Sequence, residues 1–129
     1  MLIYICCAGG MTSSMFCQKI AKSADPETVY FGSLQQVIDE YDLLHQTYRI
    51  IVAYGGESKI NLHNIEPIFK PYVDYVLVCP QVRFKTPILR KMLTPVGIPC
   101  EDIEMRTFGR MDGKKALDDI LALAQNLER

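Results

Sequence analysis

Residues 2–14 read Leu2-Ile3-Tyr4-Ile5-Cys6-Cys7-Ala8-Gly9-Gly10-Met11-Thr12-Ser13-Ser14. The run Leu2–Cys6 is apolar throughout, the signature of a strand buried on both faces. Two glycines then let the chain turn tightly. Three hydroxyl residues lead into Met15, Phe16 and Ile20, which recur at helical spacing. Strand, tight loop and helix in succession open a parallel β/α unit.

The same rhythm runs through the rest of the chain. Further strands are expected at Thr28–Phe31, Arg49–Tyr54, Tyr75–Cys79 and Pro99–Met105, the last the weakest. Between them, Val37, Ile38, Tyr41 and Leu44 mark a second helix. Leu62, Ile65, Phe69 and Tyr72 mark a third, and Ile88, Leu89, Met92 and Leu93 a fourth. Leu117, Ile120, Leu121, Ala124 and Leu127 form a clear amphipathic stripe in the final segment. Ser33 with Gln36 is a capping-box pattern, and Thr86 before Pro87 reads as an N-cap followed by proline at the first helical position. This alternation predicts an α/β fold, a single doubly wound parallel sheet with helices on both faces.

The chain has 129 residues, the size of one domain, and residues 1–129 are expected to form one. Its 14 Lys+Arg against 15 Asp+Glu leave a net charge of −1, which argues against non-specific nucleic-acid binding or a polybasic membrane anchor. The longest uncharged stretch, Met1 to Gln18, is too polar in its second half to span a bilayer, and no secretory leader pattern is visible. Five cysteines, an odd number with two adjacent, do not make a disulfide framework. A reduced, cytoplasmic protein is expected.

Sheets of this class bind ligands at the carboxyl ends of their strands. The loop after the first strand is the informative one. Its glycines permit close approach of backbone to ligand, successive N–H groups can form a nest, and the helix dipole places positive potential behind them. Hydroxyls of Thr12, Ser13 and Ser14 add donors, and one of them can cap the helix. The result is an oxyanion cradle with phosphate as the expected occupant. Cys7 at its start faces a helix N-terminus, where a thiol becomes a thiolate nucleophile. Arg83, Lys85, Arg106 and Arg110, with Lys114 and Lys115 beyond, gather on the same expected rim.

Known phosphate loops narrow the chemistry. A Walker A loop needs a lysine and a dinucleotide fingerprint needs G-x-G-x-x-G; neither is present. The frame C-x5-R-[ST] of low-molecular-weight tyrosine phosphatases fits from Cys7, except that Ser13 stands at the arginine position, with Ser14 following. That arginine clamps the transferring phosphoryl group during hydrolysis. Without it a phosphocysteine should persist, which is what a phosphoryl carrier needs. Cys6 should face the opposite side of the sheet and serve packing. Cys17, Cys79 and Cys100 lack metal-ligand spacing. His45 and His63 read as surface or cap residues, and Asp25-Pro26 as a turn at the far edge.

At these residues the sequence resembles the IIB components of the lactose/cellobiose/chitobiose class of bacterial sugar phosphotransferase systems. Ile3 through Ser14 is similar to that family's strand and cysteine loop. Asp74-Tyr75-Val76-Leu77-Val78-Cys79-Pro80-Gln81 is similar to its apolar strand ending in Pro-Gln. Phe108-Gly109-Arg110-Met111-Asp112-Gly113 is similar to its turn before the last helix. The resemblance implies a phosphotransferase in which Cys7 accepts phosphate within Ala8, Gly9, Gly10, Met11, Thr12, Ser13 and Ser14. Gln81, Arg83 and Asp112 would be accessory. It implies a IIA phosphoryl donor, a membrane IIC permease holding a β-glucoside or galactoside type of sugar, and no metal or organic cofactor.

Two other readings stay open: a phosphatase- or arsenate-reductase-like cysteine enzyme, and an anion-sensing adaptor. The family members are shorter, with four strands. Here Arg49–Tyr54 and the helix after it add a unit, so a flavodoxin-like or low-molecular-weight-phosphatase-like sheet of five strands in the order 2-1-3-4-5 is expected. Gly55-Gly56 should then lie beside the cysteine loop.

Overall fold

The computed structural model describes residues 1–127, without the side chain of Leu127, which therefore lies outside the described part of the final stripe. One parallel sheet carries five strands: β1 Leu2–Cys7, β2 Val29–Ser33, β3 Ile50–Gly56, β4 Tyr75–Val78 and β5 Cys100–Asp102. Helices α1 Met11–Lys22, α2 Leu34–Asp39 and α3 Tyr41–Thr47 follow the first two strands. After β3, α4 Leu62–Asn64 and α5 Lys70–Tyr72 flank a π-helical stretch, Ile65–Phe69. Pro67 lies in that stretch and has no N–H to give a regular helix, and the Lys70 N–H reaches back five residues to Ile65 O. Helices α6 Thr86–Leu93, α7 Met105–Gly109 and α8 Gly113–Leu127 complete the order.

The class matches the reading of the sequence; the order along the sheet does not. It runs β2-β3-β1-β4-β5, so β3 lies between β2 and β1, where the sequence placed β1 between β2 and β3. Exchanging β1 with β3 leaves both strands in the sheet interior and leaves the same two strands at the edges. Hydrophobic patterning reports interior against edge, and therefore cannot tell the two orders apart. Both also satisfy the handedness rule, which sends connections running in opposite directions over opposite faces.

The two faces have separate cores. Tyr4, Cys6, Ile51, Ala53, Val76 and Val78 point to the face covered by α2 to α6. Ile3, Ile5, Cys7, Ile50 and Val52 point to the face covered by α1, α7 and α8. Period-two alternation along β1 thus separates the adjacent cysteines, as expected. Helix α1, which follows β1, and helix α6, which follows the neighbouring β4, leave on opposite faces, so the loop after β1 opens at the switch point of the sheet.

Several local expectations needed correction. The single helix expected over Val37–Leu44 is broken at Glu40, with its backbone off helical values between α2 and α3. Thr86 is not a cap: it is the first residue of α6, and its buried hydroxyl donates to Asp102 Oδ1 at 2.5 Å, tying α6 to β5. The fifth strand stops at Asp102, and Met105 begins α7. Met15, Leu62 and Ile88, counted toward the core by spacing, are exposed. The Ser33–Gln36 capping box is present in both directions.

Candidate functional site: the cysteine loop

Cys7 ends β1 opposite Gly56 of β3, with Cys6 opposite Gly55. The chain then leaves the sheet through Ala8 and Gly9, both exposed, and Gly10 in the left-handed region at φ 88°. Only glycine adopts that conformation without strain. It turns the chain sharply enough to start α1 at Met11, and the first helical bond runs from Ser14 N–H to Gly10 O at 3.0 Å. Gly10 is itself the N-cap, so no hydroxyl caps α1 as the sequence had implied.

The loop closes over the sulfur. Gly10 N–H donates to Cys7 Sγ at 3.0 Å and Ser13 N–H at 3.4 Å, while the thiol donates to Ser13 Oγ at 3.3 Å. The Ser13 hydroxyl, wholly buried, lies within reach of two carbonyl acceptors, Gly10 O at 3.1 Å and Gly55 O at 3.2 Å. Burial alone would push the Cys7 thiol up. The Ser13 hydroxyl, the Ser13 amide and the Gly10 and Gly9 amides outweigh it and hold the thiol below its ordinary value. Donors that stabilise a thiolate are also the donors that hold a phosphoryl oxygen.

The other cysteines behave oppositely. Cys100 is pushed up to about 11 by burial, and burial also raises Cys6, Cys17 and Cys79 well above an ordinary thiol. All five are free. Only Cys7 combines a lowered thiol with a place in the loop.

The structure therefore brings together Cys7, Gly9, Gly10 and Ser13, with Gly55 and Gly56 beside the loop as expected. Thr12 and Ser14 are half-buried on the first turn of α1, and Met11 is exposed beside them. The accessory residues are not gathered at the sulfur in the same way. Arg83 Nη1 reaches Met105 Sδ at 2.9 Å, so it leans toward the start of α7, beyond β5 and on the side of β4 away from β1. Gln81 is exposed in the 3-10 turn Pro80–Lys85. Asp112 caps the start of α8, accepting from Lys115 N–H at 3.0 Å. Lys114 and Lys115 pair along α8 with Asp118 and Asp119, while Arg106 and Arg110 are exposed on and just after α7. Asp25-Pro26 forms a turn before β2, at the opposite end of the sheet from Cys7.

Tyr4 escaped the sequence reading. It is wholly buried and donates its hydroxyl to Gly56 O at 2.6 Å, just beneath the loop. A signal was available: a buried tyrosine hydroxyl requires a partner, and Tyr4 is the only side chain in Leu2–Ile5 that carries a polar tip.

Neither a known family model nor a curated protein matches this chain. Among solved structures, it is similar to the cellobiose-specific phosphotransferase IIB component of Borrelia burgdorferi, at 26% identity and a TM-score of 0.53. The likeness covers 98% of this chain and 89% of that one. The chain resembles a IIB component in structure as well as in sequence. The likeness to a IIB component extends to the single parallel α/β sheet with its helices. Among the described residues, no helix is long and apolar enough to cross a membrane.

Proposed function

We propose that this chain is a cytoplasmic IIB phosphocarrier of a sugar phosphotransferase system, with Cys7 as its phosphoryl acceptor. One observation carries the reading: the Cys7 sulfur sits under amide N–H groups of Gly10 and Ser13 and a buried hydroxyl, with its thiol lowered. In the first transfer, the P–N bond of a phosphohistidine on a IIA donor breaks as the Cys7 thiolate forms the S–P bond. In the second, the S–P bond breaks as the oxygen of a sugar hydroxyl held by a IIC permease bonds to phosphorus; the hydroxyl proton passes to solvent and the thiolate is restored. Both transfers need alignment and preorganised donors rather than covalent help from another side chain.

Ser13 supports a carrier over a hydrolase. It occupies the place of the phosphatase arginine, and its side chain is turned to backbone carbonyls instead of projecting a charge into the loop. Arg83, the nearest cation in sequence to the end of β4, is engaged with Met105. A phosphocysteine here lacks the clamp that water attack requires.

Phosphoryl acceptance from a phosphorylated IIA donor tests the assignment. Cys7→Ser should abolish it and Cys6→Ser should leave most of it, since Cys6 faces the other core. Equal loss in both variants would sink the assignment.

A further inference from the structure

Tyr4 lies on the face of the sheet away from Cys7, yet it is linked to the cysteine loop through the end of β3. Its hydroxyl donates to Gly56 O at 2.6 Å, and its ring is held edge-on against Phe69 with centroids 5.5 Å apart. A Cβ at Gly55 would run into the Tyr4 hydroxyl, so glycine is what lets that hydroxyl pass to Gly56. On the other side, a Cβ at Gly10 would stand 3.4 Å from Gly55 Cα, and one at Gly56 would stand 3.2 Å from Ala8 O. Gly55 O accepts from the Ser13 hydroxyl. The last two residues of β3 thus form a wall for the loop, and Tyr4 bonds that wall from behind.

We propose that Tyr4 is a positioning residue: its hydroxyl holds Gly55 and Gly56 against the cysteine loop, keeping the Gly10 and Ser13 donors aimed at Cys7 Sγ. It rests on the reading of Cys7 as the reactive thiol. Removing the hydroxyl leaves the half-buried Gly56 O without this donor, and the peptide turns to find another partner. Gly10 loses its packing surface on Gly55. The N–H···S contacts lengthen, and the thiolate is less well held. Release of Ser13 from Gly55 O does not offset this, because a thiolate already outcompetes a neutral carbonyl for that hydroxyl. Other groups facing Cys7 across this core are the thiols of Cys17 and Cys79, both kept protonated by burial.

The test is the pH dependence of Cys7 alkylation, followed by peptide mapping in the full chain. Tyr4→Phe should move the midpoint up by about half a unit or more, about threefold less thiolate at any pH well below it. Gly55→Ala, which pushes the Tyr4 hydroxyl aside from the opposite direction, should do the same. Val37→Ala removes buried volume under α2 on the Tyr4 face and should lower the melting temperature without moving the midpoint. An unmoved midpoint in a folded Tyr4→Phe or Gly55→Ala protein overturns the proposal, as does an equal shift in Val37→Ala. In the unaltered protein, the Gly56 amide NMR resonance should titrate with the Cys7 midpoint, and its indifference would also overturn the coupling. None of these measurements uses a phosphoryl donor, so failure of phosphoryl acceptance is read separately.

Discussion

Replacing Ser13 by alanine isolates the side-chain share of thiolate stabilisation. The hydroxyl is 3.3 Å from Cys7 Sγ and wholly buried, so water cannot take its place. The two amide donors, at 3.0 and 3.4 Å, come from the backbone and remain. A hydrogen bond to a charged group contributes about 1.5–3 kcal/mol, and one pKa unit corresponds to about 1.36 kcal/mol. Some loop relaxation recovers part of the loss. The Cys7 midpoint should rise by about one unit, and alkylation near neutral pH should slow by about tenfold. The assay is the rate of iodoacetamide labelling at Cys7 against pH, read by mass spectrometry on the peptide. The same variant removes the hydroxyl from the Gly10 and Gly55 carbonyls, of which Gly10 O keeps the Ser14 N–H, at a cost of about 0.5–1.5 kcal/mol in urea unfolding. A destabilised protein with an unchanged Cys7 midpoint would refute the claim that Ser13 holds the thiolate.

Three further outcomes follow from the same contacts. Burial raises the thiols of Cys6, Cys17, Cys79 and Cys100 in the folded state, so the stability they contribute is complete below the ordinary thiol value of about 8.5 and is lost as pH rises beyond it. Cys7, lowered on folding, contributes in the opposite sense, but it is one thiol against four. Urea unfolding at increasing pH should show stability falling above about pH 8.5, and a flat profile would contradict these burials. Gly10→Ala forces a side chain into the left-handed region and against the Gly55 backbone. It should cost about 1–2 kcal/mol and slow Cys7 alkylation together, and loss of neither would mean the loop tolerates another path. Gly113→Ala places a Cβ against the Lys19 carbonyl, where α8 meets α1. It should destabilise the protein by about 1–3 kcal/mol in urea, whereas an unchanged midpoint would mean the helices separate freely.

Much of the fold and of the cysteine loop is legible in the sequence. The runs Ile3-Tyr4-Ile5, Ile50-Ile51-Val52 and Val76-Leu77-Val78 could only be interior strands, and they are. Gly9-Gly10 after Cys7 announces a loop whose backbone turns back on the sulfur. Alternation alone puts Cys6 and Cys7 on opposite faces. The order of β1 and β3 is hidden because an exchange of two interior strands changes no residue's burial. Thr86 misleads for a related reason. Its hydroxyl suits a cap, but its partner, Asp102, is 16 residues away, and local patterning carries no information about that contact. The break at Glu40 and the role of Tyr4 likewise depend on what packs from elsewhere.

In the proposed function, Cys7 carries the phosphoryl group and keeps it. Mass spectrometry of the intact chain and its peptides after incubation with a phosphorylated IIA donor addresses it directly. One phosphoryl adduct is expected, on Cys7, persisting in the absence of a sugar-loaded permease. Rapid release of inorganic phosphate with no standing adduct, or an adduct on any other residue, would contradict it.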